Sequence, residues 1–147
     1  MKPELSDPSL LKTSSYVAGR WVAGDGPRLA VRNPATEETV AEVSTVNRLG
    51  TEEAIAAAHD AMTSWREVPA KVRAQVLRRW FDLMMAHQED LALIMTTEQG
   101  KTLAESRGEV AYGASFMEGF GEQAKRIDGD VIPAPSADKR VICIKQP

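Results

Sequence analysis

The sequence predicts a mixed α/β chain, α+β when these residues are taken by themselves: short strands first, then four helices, then one strand. Three observations carry this reading. Between Leu91 and Ile127 apolar residues recur at steps of three and four, the helical period. Before Val43 the apolar runs are short, and Gly, Pro and Asn separate them. Strands and helices do not alternate, so the order is not a βαβ series, and no Gly-rich turn joins a strand to a helix.

Residues 1–15 read as a polar lead with a short Leu10-Leu11 anchor. Tyr16-Val17-Ala18 and Trp21-Val22 read as two short strands around a turn at Gly19-Arg20. Gly24-Asp25-Gly26-Pro27 is a loop because Gly and Pro cluster there. Leu29-Ala30-Val31-Arg32 and Thr39-Val40-Ala41-Glu42-Val43 are the third and fourth strands. Asn33-Pro34-Ala35-Thr36 turns between them: the residue before Pro is driven out of the helical region, and Asn favours turn initiation.

Thr51-Glu52-Glu53 is expected to start the first helix, with a capping hydroxyl and two acids at the positive end of the helix dipole. Ile55, Ala58, Met62 and Trp65 form its stripe. Pro69 opens a second helix at its first position, where a missing N–H costs nothing. Val72, Val76, Trp80 and Leu83 or Met84 are its expected buried stripe, with Arg73, Arg78, Arg79 and Asp82 off it. His87-Gln88-Glu89-Asp90 is expected as a turn. The third helix carries Leu91, Ile94 and Met95 and stops at Gly100, since Gly is the usual left-handed terminator. The fourth carries Val110, Ala114, Met117, Phe120 or Gly121, Ala124 and Ile127. It ends at Asp128-Gly129, and Pro133 prevents a simple restart. Arg140 to Lys145 is a short apolar, β-branched run, hence a strand that asks for cover on both faces and a strand neighbour. The three helices from Thr51 to Gly100 are expected to be the best protected part.

The 147 residues suffice for one ordinary domain, and 43% hydrophobic with 27% charged residues is a globular composition. A net charge of -3 argues against a nucleic-acid footprint, which is basic and clustered. No apolar run reaches the length needed to span a bilayer. The opening MKPELSDPSLLKTSS lacks the apolar core and small-residue cleavage site of a secretory signal. One cysteine cannot make an internal disulfide, and a reducing cytoplasm is the expected compartment.

Few residues invite a chemical role. Cys143 lies between two isoleucines, with no base or oxyanion donor beside it, and is expected to be a buried small hydrophobe. His59 and His87 are isolated helix histidines without the companions a metal site needs. Glu98 reads as a helix-terminal acid beside a C-terminal Gly cap. Catalytic, cofactor-binding and metal-binding residues are therefore expected to number none. Tyr112 and Phe116 stand one helical turn apart and read either as core packing or as an aromatic wall.

A resemblance rests on the stretch from Glu98. Glu98-Gln99-Gly100-Lys101, Leu103-Ala104-Glu105, Gly108-Glu109, Tyr112, Ala114-Ser115-Phe116, Ala124-Lys125-Arg126, Gly129-Asp130 and Ile132-Pro133 follow one another in an order and spacing that resembles the N-terminal part of the aldehyde dehydrogenase superfamily, nearest its succinate-semialdehyde dehydrogenase branch. Tyr16-Val17, Gly19, Trp21 and Asn33-Pro34-Ala35-Thr36 resemble its opening strands. Gly119, Gly121 and Asp128 depart from that pattern, which has bulkier residues there.

The resemblance implies an enzyme that oxidises a small aldehyde such as succinate semialdehyde to the acid with NAD or NADP, through a cysteine thioester. It implies that residues 16–139 belong to the NAD(P)-binding domain, that 140–147 begin the strand leading to an oligomerisation sheet, and that the whole enzyme is a homo-oligomer. It also implies that the long helix borders the passage to the catalytic cysteine, with Tyr112 and Phe116 as candidate tunnel residues. The cysteine, base and dinucleotide site would lie downstream of Pro147. The chain is thus expected to be an N-terminal fragment, inactive and cofactor-free alone and prone to self-association. The alternative is a truncated product that acts as a non-catalytic interaction module. An in-frame continuation carrying the nucleophile separates the two.

Overall fold

The computed structural model describes residues 3–146. It is α+β, with four short strands, four helices and two more strands in chain order: β1 Ser15–Val17, β2 Arg20–Val22, β3 Arg28–Arg32, β4 Thr39–Ser44, α1 Arg48–Trp65, α2 Ala70–Ala86, α3 Gln88–Gln99, α4 Leu103–Gln123, β5 Asp130–Ile132 and β6 Val141–Cys143. A 3₁₀ turn, Pro8–Leu10, precedes them, and another, Ala124–Arg126, ends α4. The strands pair only as three antiparallel hairpins, β1–β2, β3–β4 and β5–β6.

The first hairpin closes on Ala18 (φ 50°) and Gly19 (φ 79°), both left-handed. That is the backbone a two-residue hairpin turn needs to match strand twist. In the second, Asn33 accepts the N–H of Ala35 at 2.9 Å through its side chain and that of Glu37 at 2.8 Å through its carbonyl. This is the turn expected at Asn33-Pro34, followed by a left-handed Glu37. Val40 and Ala41 on β4 are buried.

Helix α1 begins three residues before the expected Thr51. Asn47 is the cap: its side chain accepts the Gly50 N–H at 3.0 Å, and Asp25 holds Asn47 by its N–H (3.0 Å) and Nδ2 (2.6 Å). A cap anchored from the loop outcompetes Thr51, whose hydroxyl instead donates to the Asn47 carbonyl. Pro69 sits just outside α2 as its cap rather than inside it. The expected turn at 87–90 shrinks to His87 alone, and Gln88 already starts α3. Gly100 ends α3 at φ 75°, ψ 8°, as the sequence predicts. Thr102 and Glu105 form a reciprocal capping box for α4.

Helices α2 and α4 run antiparallel: Met84 lies against Gly113, and Ala74 and Leu77 lie against Gly121. A Cβ at Gly121 would stand 3.4 Å from both the Ala74 carbonyl and the Leu77 side chain, in ordinary van der Waals contact, so the helices cross closely there. Ser106, Val110, Ala114 and Gly121 are the buried positions of α4. Of the two residues proposed for that stripe, Gly121 occupies it and Phe120 does not. Ser106 bridges to Thr96 on α3 through a 2.8 Å hydroxyl pair, and Arg107 grips Glu89 bidentately at 2.7 and 2.8 Å.

Two burial expectations fail. Val72, Val76 and Trp80 have the right period but face outward; of the two residues expected at the next position Leu83 is exposed and Met84 is half-buried against Gly113, and only Ala74 of α2 is fully buried. α1 buries no residue, and Ile55, Met62 and Trp65 are exposed. The period was right, but the apolar face it marks is not the one α4 covers. Likewise β6 finds the strand neighbour it asked for, in β5, yet both strands stay exposed. The surface measures 10884 Å², against about 7,400 Å² expected of a compact monomer of this mass. No helix among the described residues is long and apolar enough to cross a membrane.

Two outcomes follow. Gly100→Ala meets a left-handed φ and a 2.8 Å approach to the Pro34 ring, so it should cost about 1–2 kcal/mol, whereas Gly108→Ala enters open space and should gain about 0.5–1 kcal/mol; chemical denaturation distinguishes them. Hydrogen exchange should be slowest in α2 to α4 rather than across 51–100, and light scattering should find self-association through the uncovered apolar faces. A monodisperse monomer with α1 amides among the slowest would overturn this.

Candidate functional site

The site the sequence points to lies on α4. The capping box fixes where that helix starts, and the α2 and α3 contacts fix its rotation. With Val110, Ala114 and Gly121 turned inward, Tyr112, Phe116 and Phe120 fall on the outer side at steps of four. They are 67%, 43% and 62% exposed. Tyr112 meets Phe116 edge-on, with ring centroids 4.9 Å apart and planes at 77°. Phe116 and Phe120 lie nearly parallel at 6.4 Å and 19°. The structure therefore joins the two expected aromatics, sets them outside the core, and adds Phe120. Its spacing of four from Phe116 was the signal for this third ring, but the same residue also fitted the buried stripe by one step.

The edge is apolar except for the Tyr112 hydroxyl. At its N-terminal end Lys101 pairs with Glu109, and Glu105 has its carboxyl held below the usual range by the Thr102 side chain and backbone N–H. The Ser115 hydroxyl donates to the Tyr112 carbonyl at 2.7 Å and faces its own helix. Rings in this array can wall or shape a passage and orient an organic ligand.

The other flank of α4 borders a cleft of about 440 Å³ against α2, lined by Lys71, Arg78, Glu118, Glu122 and Lys125. Arg78 is committed there to Glu118 at 2.9 Å and Asp82 at 3.1 Å. His59 is exposed on α1 and His87 half-buried at the α2–α3 corner, and Glu98 is exposed beside the Gly100 cap. Cys143 overturns its expectation: it is exposed, because β6 has β5 beside it but no layer over either face. The apolar neighbours that signalled burial are themselves exposed, Ile142 by 66% and Ile144 by 68%.

The described residues hold no strand, Gly-rich turn and helix in succession, the unit that cradles a dinucleotide pyrophosphate.

The family model described as "Aldehyde dehydrogenase family" matches residues 21–147. A glutarate-semialdehyde dehydrogenase of Pseudomonas aeruginosa is 53% identical over 98% of the chain, and a 3-sulfolactaldehyde dehydrogenase of Pseudomonas putida is 50% identical over the same share. The chain spans 30% of the length of each. A solved succinate-semialdehyde dehydrogenase from Burkholderia pseudomallei superposes with a TM-score of 0.89 at 50% identity, over 94% of this chain and 29% of that one.

Exposure gives Cys143 a testable property. A thiol reagent at neutral pH should label it in the native protein at a rate near that of the unfolded chain. Protection by more than about tenfold, read by mass spectrometry, would place the thiol under cover.

Proposed function

The chain belongs to the aldehyde dehydrogenase family, and from that premise we propose that it is the N-terminal portion of an NAD- or NADP-dependent dehydrogenase that oxidises a small semialdehyde to the acid through a cysteine thioester. The observation that carries this is the match along nearly the whole chain to semialdehyde dehydrogenases of about three times its length. The relatives named above act on aldehydes that carry a carboxylate or sulfonate at the far end, so an aldehyde with an anionic tail, succinate semialdehyde among them, is the proposed substrate class.

Within that enzyme this segment supplies a wall rather than chemistry. The cofactor brings hydride acceptance, and its binding belongs to residues outside those described. Tyr112 and Phe116, with Phe120 continuing the row, would present ring faces to the substrate passage, exclude water and align the aldehyde. Residues 16–139 would lie in the NAD(P)-binding domain, and 140–147 would lead toward a sheet shared between subunits of a homo-oligomer. The exposed β5–β6 pair and the excess surface support such further contacts. The lone cysteine supports a reducing compartment, the cytoplasm.

The 147 residues alone should not reduce NAD or NADP with succinate semialdehyde. In a polypeptide that continues into a catalytic cysteine, Tyr112→Ala or Phe116→Ala should lower kcat/KM for the semialdehyde by about tenfold, the scale for a lost apolar contact in a pocket, with little change in the KM for the dinucleotide. Equal losses for aldehyde and dinucleotide, or none, would remove the rings from the passage. Turnover by the 147 residues alone would refute the division of labour.

A further inference from the structure

The lead of the chain is fastened at both ends. Near its start, the backbone N–H groups of Ser6 and Asp7 donate to the two carboxylate oxygens of Asp90, each at 2.8 Å. Asp90 lies in the first turn of α3 and is 6% exposed. Near its end, the Thr13 carbonyl accepts the Ser44 N–H at 2.9 Å and the Ser44 hydroxyl at 3.2 Å, which ties the lead to β4. Between these ties Asp7 caps the 3₁₀ turn by accepting the Ser9 N–H at 2.9 Å. Leu5, Pro8 and Leu11 line a groove of about 680 Å³ whose other wall is Thr39 to Glu42 of β4. Val40, at the centre of that wall, is fully buried.

We propose that residues 3–14 are a strap that holds the β3–β4 hairpin against the helices, and that the Asp90 carboxylate is its catch. Both carboxylate oxygens are used, on two successive amides, so the catch needs the ionised side chain and tolerates neither Asn nor Ala. A protonated carboxyl or an amide would turn a donor toward one of the two N–H groups. The titratable groups bearing on Asp90 are His87 from the helix corner and Asp7 from the strap itself. The two amide bonds, Ser6 first and then Asp7, hold the Asp90 carboxyl below the ordinary range. The catch is therefore closed at every pH above that range and opens only as acid titrates the carboxyl. The hairpin has a second tie at the opposite end of α3, where Pro34 abuts Gly100. Opening the catch frees the strap and one end of the hairpin while leaving α2 to α4 folded.

Limited trypsin digestion reads this at Lys12, an exposed residue inside the strap whose ammonium rests 5.3 Å from the Trp21 ring. Asp90→Asn should speed cleavage after Lys12 by about tenfold at neutral pH, with cleavage after Arg78 and Arg107 unchanged. Ser6→Pro removes one donated N–H without touching α3, and should speed the Lys12 cut in the same direction. Unchanged Lys12 cleavage in both variants would overturn the proposal. So would acceleration at Arg78 and Arg107 in step with Lys12 in Ser6→Pro, because the strap would then be part of the helical core rather than a detachable cover.

Discussion

The close crossing of α2 and α4 holds the rest of this chain in place. It is made where side chains are small: Ala74 on one helix and Gly121 on the other, where an added Cβ would already be in van der Waals contact with the Ala74 carbonyl and the Leu77 side chain. Small residues give little apolar area each, so the gain comes from many backbone-to-backbone contacts over several turns. The crossing also fixes the rotation of α4. That rotation sends Ser106 toward Thr96, Arg107 toward Glu89, and the three rings outward. A bulkier residue at 121 would shift the aromatic edge as well as the core.

α3 touches the strand half at both ends: its first turn carries Asp90, which takes hold of the lead, and its cap Gly100 abuts Pro34. Helix α1 borders the first hairpin and its loop, capped by Asn47 and Asp25, yet buries none of its own residues. The apolar stripes of α1 and α2 and the β5–β6 pair all lie exposed.

What the sequence disclosed, and what it withheld, follows from how far each cause reaches. The Gly100 stop, the Asn33-Pro34 turn and the hairpin at Ala18-Gly19 are local events, so their signals lie within a few residues. The start of α1 was misplaced because Asp25, 22 positions away, stabilises the cap at Asn47. Periodicity located α2, but a period says that one face is apolar, not that a partner is present. Val72, Val76 and Trp80 are apolar and exposed for that reason, and Cys143 with them. For the candidate site, the sequence supplied two of three rings. Phe120 is ambiguous in the sequence because it sits next to the stripe residue Gly121, and the packing of α4, with Gly121 buried and Phe120 exposed, separates them.

The Asp90 contact joins groups 84 and 83 positions apart, whereas the α3–α4 ties at Thr96–Ser106 and Glu89–Arg107 span 10 and 18. Chain entropy opposes long closures more than short ones, so contacts within α2 to α4 can form before the lead has any surface to settle on. The closure that fastens the lead is the longest-range of these, and it needs α3 in place before Asp90 can receive the two amides. Until α3 has formed, the Ser6 and Asp7 amides lack the Asp90 carboxylate, and that interval is when the lead is most open to proteases and to unintended partners.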